Sequence, residues 1–479
     1  MKNSVKTNYI YNIMYQFLAV AVPILTTPYV SRVLGASGIG IYNYVGGIVS
    51  YFGIFAITGT STFGVREIAR NQSNLKMRSK IFWEIFIFRL ICTITIAFVY
   101  IVFTFLVLKQ YRVLLFINII MFFSWSLDVS WYFQGIGDFK VISIRNSFVK
   151  VLATILIFCL VRLKTDLNMY MMIYVVSALV GNITLIPYLR KEIIFYKITF
   201  KNLISNFNEI MSLFIPVIAI QLYTVLNKIM LGMFSNVSEV GYFSQANQVV
   251  NMLVTILSAY SGVLIPKISF FYSRKMNNDI KIYVSKAFKN LILLGLPMTI
   301  GFISISNIFV PIFFGDDFGA VVDVLRILSL LFLILGMGQM LGSFLVAINR
   351  QRSYTIAVCC AAVSNLILNS LFLYLKLGAE GVAIATVISE IIATSIQLYF
   401  FKEFIVFKWL NSTFFKCFIS AIVMFSSLIA INCLTGENLL IKLLLMIFGG
   451  TLSYFIALYF LREEDFMSIL NFKKEKNKK

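Results

Sequence analysis

Residues 82–108 read FWEIFIFRLICTITIAFVYIVFTFLVL and contain only two charged side chains, Glu84 and Arg89. An α-helix needs about 20 mostly apolar residues to cross the hydrocarbon core of a bilayer, so this stretch predicts a transmembrane helix. Stretches of the same character follow one another along the whole chain. The sequence predicts about 14 membrane spans, at residues 10–31, 38–60, 82–108, 113–134, 141–161, 168–188, 209–234, 243–265, 288–313, 321–347, 354–375, 378–401, 413–434 and 438–461.

The basic residues are distributed unevenly between the gaps that separate these spans. Most of the 41 Lys and Arg residues lie in every second gap and in the two terminal segments. An excess of basic residues is typical of the cytoplasmic loops of membrane proteins. The sequence therefore predicts an all-α, multi-pass protein of the cell (plasma or inner) membrane, with the N- and C-termini in the cytoplasm.

The composition excludes an ordinary soluble globular protein, because 60% of the residues are hydrophobic, 13% are charged and the mean hydropathy is +0.89. The net charge of +21 is also a feature of nucleic-acid-binding proteins. Here, however, the basic runs at 350–352 and 473–479 lie at the expected inner rim, where anionic lipid headgroups explain them. We expect membrane lipids as partners and no nucleic acid.

No constellation of residues in the sequence indicates catalysis. The six cysteines lie in apolar segments without metal-binding spacing, and the chain has no histidine. A nucleophile elbow, a P-loop and a dinucleotide fingerprint are absent from the sequence. We therefore expect that the protein is not an enzyme, that it has no metal site and no cofactor, and that this chain alone does not drive transport with ATP.

An internal repeat predicts the domain organisation. The segment 34–43, LGASGIGIYN, has a counterpart in Leu231-Gly232 followed by GYFS at 241–244. Each copy follows an odd-numbered span, so the two copies have the same orientation across the membrane, as in transporters built from parallel repeats. We predict two six-helix lobes, 1–205 and 206–402, related by a parallel repeat. A segment at 403–479 adds two C-terminal helices and a basic cytoplasmic tail.

Polar residues recur on one face of several predicted spans. Such stripes are commonly contacts between helices. Their presence on repeat-related spans of both lobes favours a shared polar cavity instead. The predicted lining residues are Gln16, Asn43, Gln221, Thr224, Gln248 and Asn251.

Five ionisable residues lie inside predicted spans: Arg89, Asp128, Lys150, Lys228 and Glu390. Each Arg, Lys or Asp costs roughly 2.5–3.5 kcal/mol at the centre of a membrane helix, so such residues are candidates for function. The cations outnumber the carboxylates, and an anionic group such as phosphate is their natural ligand. We predict that Lys228, Lys150 and Arg89 bind substrate, and that Asp128 and Glu390 are candidates for ion coupling.

Three structural alternatives stay open for these charges. Arg89 and Asp128 are candidates for a simple ion pair, and Lys150 is an alternative partner for Asp128. Lys228 lies near the outer end of its span, where a long side chain can extend to water.

Prolines indicate bent helices at the start of both lobes, at Pro23 and Pro28 in the first span and at Pro216 in the seventh. A proline inside a helix removes a backbone hydrogen bond and permits a kink. Bent helices favour a carrier that works by alternating access.

Several motifs resemble those of a known family in order and spacing: PYVSRVLG at 28–35, DVSWYFQG at 128–135, KIMLG at 228–232, and LGAEG at 377–381 leading to Glu390. Over nearly its whole length the chain resembles the polysaccharide-transport branch, the Wzx-type flippases, of the multidrug/oligosaccharidyl-lipid/polysaccharide exporter superfamily. One position departs from the pattern, because the family often has an acidic residue where this chain has Asn227.

The resemblance implies a flippase that moves undecaprenyl-diphosphate-linked oligosaccharide units from the inner to the outer leaflet for capsule, O-antigen or similar polymers. It also implies a lipid-linked oligosaccharide substrate and partnership with a polymerase and other glycan-assembly proteins. Two alternatives from the same superfamily are a peptidoglycan-precursor flippase and a multidrug/cation antiporter. A third, of another class, is a non-transporting scaffold of a glycan-assembly complex.

Overall fold

The computed structural model describes residues 5–57, 59–106, 109–190, 192–197, 207–434, 436, 438–463 and 466–467. These residues form helices joined by short turns and contain no β-strand, which confirms the all-α prediction. Residues 198–205 of the predicted cytoplasmic loop at 190–205, and the predicted basic tail beyond residue 467, lie outside the described residues.

The chain divides into two compact units, Met1–Gly232 and Met233–Lys479, called here the first and the second unit. The predicted lobe boundaries at 205 and 402 stay predictions. The helices that begin in the first unit are α1 (Val5–Ile57), α2 (Thr60–Arg70), α3 (Leu75–Leu106), α4 (Arg112–Ile117), α5 (Ile119–Ser126), α6 (Ser130–Gly135), α7 (Phe139–Leu160), α8 (Leu167–Ile183), α9 (Ile186–Leu189) and α10 (Phe207–Phe234).

The second unit contains long helices with few residues between them. They are α11 (Val237–Ser273), α12 (Asn277–Phe314), α13 (Val321–Ser329), α14 (Leu331–Ala347), α15 (Gln351–Tyr374), α16 (Gly378–Phe401), α17 (Phe407–Leu434) and α18 (Leu439–Phe460).

Helix α1 contains both the first and the second predicted span, separated by a break at Gly35. The apolar stretch Met14–Arg70 is 57 residues long. A straight helix of that length measures about 85 Å, whereas the hydrocarbon core is about 30 Å thick. Gly35 has φ 68° and ψ 177°, a conformation that a side chain makes costly. The glycine thus lets the chain turn where the sequence predicts a loop, at 32–37.

The fourth predicted span, 113–134, is not one continuous helix. It is divided into α4, α5 and α6, with interruptions at Asn118 and at 127–129. At the second interruption the Asp128 side chain accepts a hydrogen bond from the Ser130 backbone amide, at 3.0 Å, which stabilises the turn before α6. The sequence predicts one continuous span here because residues 113–134 contain no proline or glycine to mark a break, although Asp128 lies at the break itself.

The predicted number of 14 spans is not confirmed. Ten helices in the described part of the chain are long and apolar enough to cross a membrane, or eleven if the pair α13 and α14, bent by 45°, forms one span. This number treats Met14–Arg70 as a single span although its backbone breaks at Gly35. A multi-pass membrane protein is supported, and the number 14 stays a prediction.

The core of the first unit explains one of the family-like motifs. In DVSWYFQG at 128–135, Trp131, Tyr132 and Phe133 are each at most 1% exposed. The Trp131 ring stacks on Phe82, with ring centroids 5.6 Å apart. A Cβ added to Gly64 would lie 2.3 Å from Trp131, so the glycine is required for this close approach of α2 and α6. This part of the motif therefore serves packing.

Candidate functional site

Lys228 on α10 contacts Asn43 on α1, and the sequence analysis had assigned both residues to the site. The Lys228 ammonium donates a hydrogen bond to Asn43 Oδ1 at 3.0 Å. The Asn43 amide nitrogen donates to the Ile39 carbonyl at 3.0 Å, which orients the oxygen towards the lysine. Gly47, one turn further along α1, lies beside the lysine stem, since a Cβ there would be in van der Waals contact with Lys228 Cβ at 3.5 Å.

The charge of Lys228 has no fixed counter-ion in the described part of the first unit, where no carboxylate lies within ion-pair distance of its ammonium. An ammonium has three donors, and the bond to Asn43 uses one of them. The side chain is half-buried. A positive charge with unused donors and a neutral protein partner is suited to an anionic ligand.

Arg89 on α3 pairs with Asp128, as the structural alternative expected. Its side chain is 1% exposed, and the Nη2-to-Oδ2 distance is 3.4 Å. Arg89 Nη1 also donates to the Asp128 backbone carbonyl at 3.2 Å and to Ser61 Oγ at 3.4 Å. The break between α5 and α6 leaves the Asp128 carbonyl without a helical hydrogen bond. Arg89 therefore pairs with the Asp128 carboxylate and also donates to its backbone carbonyl. These contacts occupy most of the guanidinium.

Lys150 does not pair with Asp128. Its ammonium lies over the ring of Tyr15, 5.5 Å from the centroid. Lys140 lies ten residues earlier, near the start of α7. Its ammonium is 5.7 Å from the ring centroid of Tyr11, which lies on α1 like Tyr15. Cation–π contacts at these distances hold a cation without neutralising it.

Between these two lysines in the chain lies Arg145, which faces α8 and not α1. The three cations of α7 are called here the α7 basic row (Lys140, Arg145 and Lys150). Arg145 Nη1 donates to Asn182 Oδ1 at 3.3 Å. The amide of Asn182 in turn donates to the Ser124 carbonyl at 2.8 Å. The described part of the first unit holds no carboxylate paired with a member of this row.

Arg145, Tyr11 and Tyr15 are not among the site residues predicted from the sequence. The three basic residues at 140, 145 and 150 were visible there as a concentration of positive charge at the fifth predicted span. The contribution of the two tyrosines depends on the packing of α1 against α7, which pairs residues more than a hundred positions apart.

The other predicted lining residues, Gln16, Gln221, Thr224, Gln248 and Asn251, are exposed or half-buried. Gln16 and Gln221 are exposed. Thr224 donates to the Gln221 carbonyl at 3.0 Å, one turn away on the same helix. In the second unit, Gln248 is half-buried, and Asn251 is exposed and donates to the Asn247 carbonyl at 2.8 Å. The shared cavity stays a prediction.

Glu390 lies in a buried polar cluster of the second unit. Its side chain on α16 is 7% exposed. Thr394, one turn later, donates to the Ile334 carbonyl of α14 at 3.2 Å. Gly338 of α14 faces both, since a Cβ there would lie 3.0 Å from Thr394 Oγ1 and 4.0 Å from Glu390 Oε2. The role of Glu390 in ion coupling stays a prediction.

Two solved transporter structures share this fold. The lipid II flippase MurJ, in an inward closed conformation, superposes with a TM-score of 0.76 over 95% of this chain and 99% of that chain, at 17% identity. A multidrug resistance MATE family transporter of the MOP superfamily, in an inward-facing conformation, gives a TM-score of 0.60 over 81% of this chain and 94% of that chain, at 15% identity. At such identities the likeness shows the fold alone.

Sequence comparison assigns the family. A putative O-antigen transporter of Escherichia coli is 26% identical over 411 residues, which are 84% of this chain and 98% of the relative. A probable low-salt glycan biosynthesis flippase of Haloferax volcanii is 28% identical over 258 residues, and this match spans about half of each chain, 54%. These relatives are named as a transporter and a flippase, not as enzymes. The family described as polysaccharide biosynthesis protein matches residues 5–271, more than half of the chain, and the protein therefore belongs to that family.

Proposed function

We propose that this protein is a flippase that moves a lipid-linked oligosaccharide, carried on a polyprenyl diphosphate such as undecaprenyl diphosphate, from the inner to the outer leaflet for assembly of a cell-surface polysaccharide. The observation that carries the proposal is the contact of Lys228 with a neutral amide and with no described carboxylate. The names of the relatives, an O-antigen transporter and a glycan biosynthesis flippase, support it.

The chemistry of such a substrate matches the charges of the first unit. A diphosphate brings negative charge and several acceptor oxygens, and charge-assisted hydrogen bonds from Lys and Arg are the strong ones. A lysine ammonium is a compact point charge that binds phosphate without a fixed geometry, which suits a ligand that must be released again. Moving the whole lipid breaks no covalent bond, so the function needs no catalytic group.

The α7 basic row extends the site along the membrane normal. Lys140 lies near the start of α7, which we place at the cytoplasmic side, and Lys150 lies in the interior of that helix. We assign this row to the first contacts with the diphosphate and Lys228 to a later one. Because Arg89 is engaged by Asp128 and Ser61, we assign it to holding the break between α5 and α6.

Reconstitution tests the function directly. The purified chain is placed in liposomes that contain a polyprenyl-diphosphate-linked oligosaccharide with a fluorescent label on the sugar, and appearance of the label on the other leaflet is followed with a membrane-impermeant quencher. We expect translocation that depends on the protein. Selective movement of lipid II supports the peptidoglycan-precursor alternative, efflux of a cationic dye supports the antiporter, and no movement of any of these supports the scaffold.

Removing two charges of the α7 basic row is expected to slow this translocation. A hydrogen bond to a charged group contributes about 1.5–3 kcal/mol, so the double variant Lys140→Gln/Lys150→Gln should lose at least about tenfold in initial rate. A matched control is Lys402→Gln, because Lys402 lies over the Tyr399 ring, 4.6 Å from its centroid, in the second unit. Equal rates for the double variant and the wild type would contradict the role of the row.

We further propose that the protein lies in the cell membrane with both ends in the cytoplasm, and that it works with a polymerase and other glycan-assembly proteins. In a background without the six native cysteines, Ser235→Cys between α10 and α11 is expected to react with a membrane-impermeant maleimide from outside intact cells. Ser273→Cys at the end of α11 is expected to react only after the cells are opened. Both positions are exposed. The reverse pattern would overturn the orientation and the assignment of inner loops at 66–80 and 267–287.

A further inference from the structure

A cavity of the first unit lies outside the proposed substrate site. It has a volume of about 330 Å³ and is formed by α3, α9 and the segment that follows α9. We call it the Trp83 cavity. Among the described residues its walls are aromatic and aliphatic side chains together with one charged residue, Arg190; the walls include Phe82, Trp83, Phe86, Leu189 and Ile193.

Hydrogen bonds fix the segment that closes one side of this cavity. The Ile194 carbonyl accepts from Trp83 Nε1 at 3.1 Å, and the Ile194 amide donates to Ser79 Oγ at 3.0 Å. The Glu192 carbonyl accepts from Tyr132 Oη at 2.9 Å, and its carboxylate pairs with Arg78 at 3.3 Å. The segment is thus bound to α3 and α6 independently of any occupant, and the cavity exists before a ligand binds.

The chemistry of the Trp83 cavity is that of an anionic lipid. Arg190 at its edge is exposed, and in the described part of the first unit no carboxylate lies within ion-pair distance of its guanidinium. A guanidinium matches the fork of two phosphate oxygens. Beside it Phe195 is 80% exposed, although its ring packs on Trp83 with centroids 5.5 Å apart. An exposed phenyl ring and an exposed guanidinium at one edge fit an apolar chain that ends in a phosphate.

We propose that the Trp83 cavity binds an anionic glycerophospholipid, with one acyl chain among the aromatic rings and the phosphate on Arg190. The site goes beyond the proposed transport function, because it lies apart from Lys228 and the α7 basic row. Segment 190–205 is an expected cytoplasmic loop, and the cytoplasmic leaflet is the one rich in anionic lipids. Its occupant anchors the segment after α9 to the bilayer.

Lipid retention in native mass spectrometry tests this proposal on the full chain. The purified protein is equilibrated with equal amounts of phosphatidylglycerol and phosphatidylcholine that carry identical acyl chains. We expect phosphatidylglycerol to be retained about tenfold more, and Arg190→Gln to bring that ratio near one, because one charge-assisted contact is removed. Arg190→Lys should keep part of the preference. The control Arg274→Gln removes an exposed arginine that lies over Phe270, 4.3 Å from the ring centroid, and should leave the ratio unchanged.

A variant of the cavity itself tests the position of the acyl chain. Ile193→Trp fills the Trp83 cavity, and a variant that elutes as the wild type in size-exclusion chromatography should retain much less phosphatidylglycerol. Equal retention of both lipids by the wild type, an unchanged ratio in Arg190→Gln, or full retention by a well-folded Ile193→Trp overturns the proposal. Preferential displacement of phosphatidylglycerol by an equal amount of polyprenyl phosphate also overturns it, since the occupant would then be a substrate-like lipid.

Discussion

Lys228→Ala is expected to abolish export of the surface polymer while the protein is made and inserted at normal abundance, with lipid-linked units accumulating on the cytoplasmic side. The substitution removes an ammonium whose partner in the structure is the neutral amide of Asn43, at 3.0 Å. No buried carboxylate loses its partner, so a large folding penalty is not expected. Lys228→Arg should keep part of the activity, because charge matters more than shape for a partly hydrated diphosphate. Measured together, polymer at the surface and protein in the membrane fraction separate the two effects.

Two further variants sharpen this prediction. Asn43→Asp supplies the fixed counter-ion that the site lacks, so it should lower transport without lowering abundance. Lys416→Ala is the matched control, because the Lys416 ammonium also donates to a neutral oxygen, the Arg462 carbonyl at 3.1 Å, but in the second unit. Wild-type export by a well-expressed Lys228→Ala protein would show that this lysine only extends to water, and the phosphate site would then have to be sought in the α7 basic row.

The sequence was sufficient for the features that depend on local pattern. Apolar length predicted the membrane helices and the gap at 32–37 between the first two spans, where α1 turns at Gly35. The pairing of Arg89 with Asp128 was one of the alternatives that the high cost of an isolated charge in a membrane helix left open. These inferences use only neighbouring residues or charge balance, and no knowledge of how the helices pack.

Features that depend on helix packing could not be predicted in the same way. Asn43 and Lys228 were both singled out, but their direct contact depends on the register of α1 against α10, across 185 positions of the chain. The cation–π contacts of Lys140 with Tyr11 and of Lys150 with Tyr15 depend on the register of α1 against α7. At the break at 127–129, the Asp128 carbonyl accepts from Arg89 of α3, a contact that depends on how α3 packs against this segment.

The packing also changes the interpretation of individual charges. All three intramembrane cations looked alike in the sequence, as candidates for substrate. In the structure Arg89 is 1% exposed and paired, whereas Lys228 and Lys150 are half-buried and contact a neutral amide and an aromatic ring. A cation that is already neutralised stabilises the fold, and a cation without a described counter-ion is available to a ligand.

Asp128→Asn is expected to lower the amount of folded protein more than any surface substitution. The asparagine keeps the shape and an oxygen that can accept from the Ser130 amide, but it removes the charge that faces the 1% exposed Arg89. Breaking a buried ion pair costs about 3–5 kcal/mol. Because Asp128 is 25% exposed and so partly screened, we expect about 2 kcal/mol of lost stability. The midpoint of thermal unfolding in detergent and the monodisperse yield measure this loss.

Removing both charges together separates a structural pair from a mechanistic carboxylate. Arg89→Met/Asp128→Asn leaves neither member of this pair as an isolated charge, so it should recover much of the yield lost in Asp128→Asn, since an apolar replacement of a buried pair is often neutral. The matched control is Asp323→Asn, which breaks the exposed pair with Arg326 at 3.0 Å and should change nothing measurable. If Asp128→Asn instead folds like the wild type but no longer transports, the pair is not structural. Asp128 would then belong to the ion-coupled mechanism. Arg89 would influence the charge state of that carboxylate, and would not serve mainly to stabilise the break between α5 and α6.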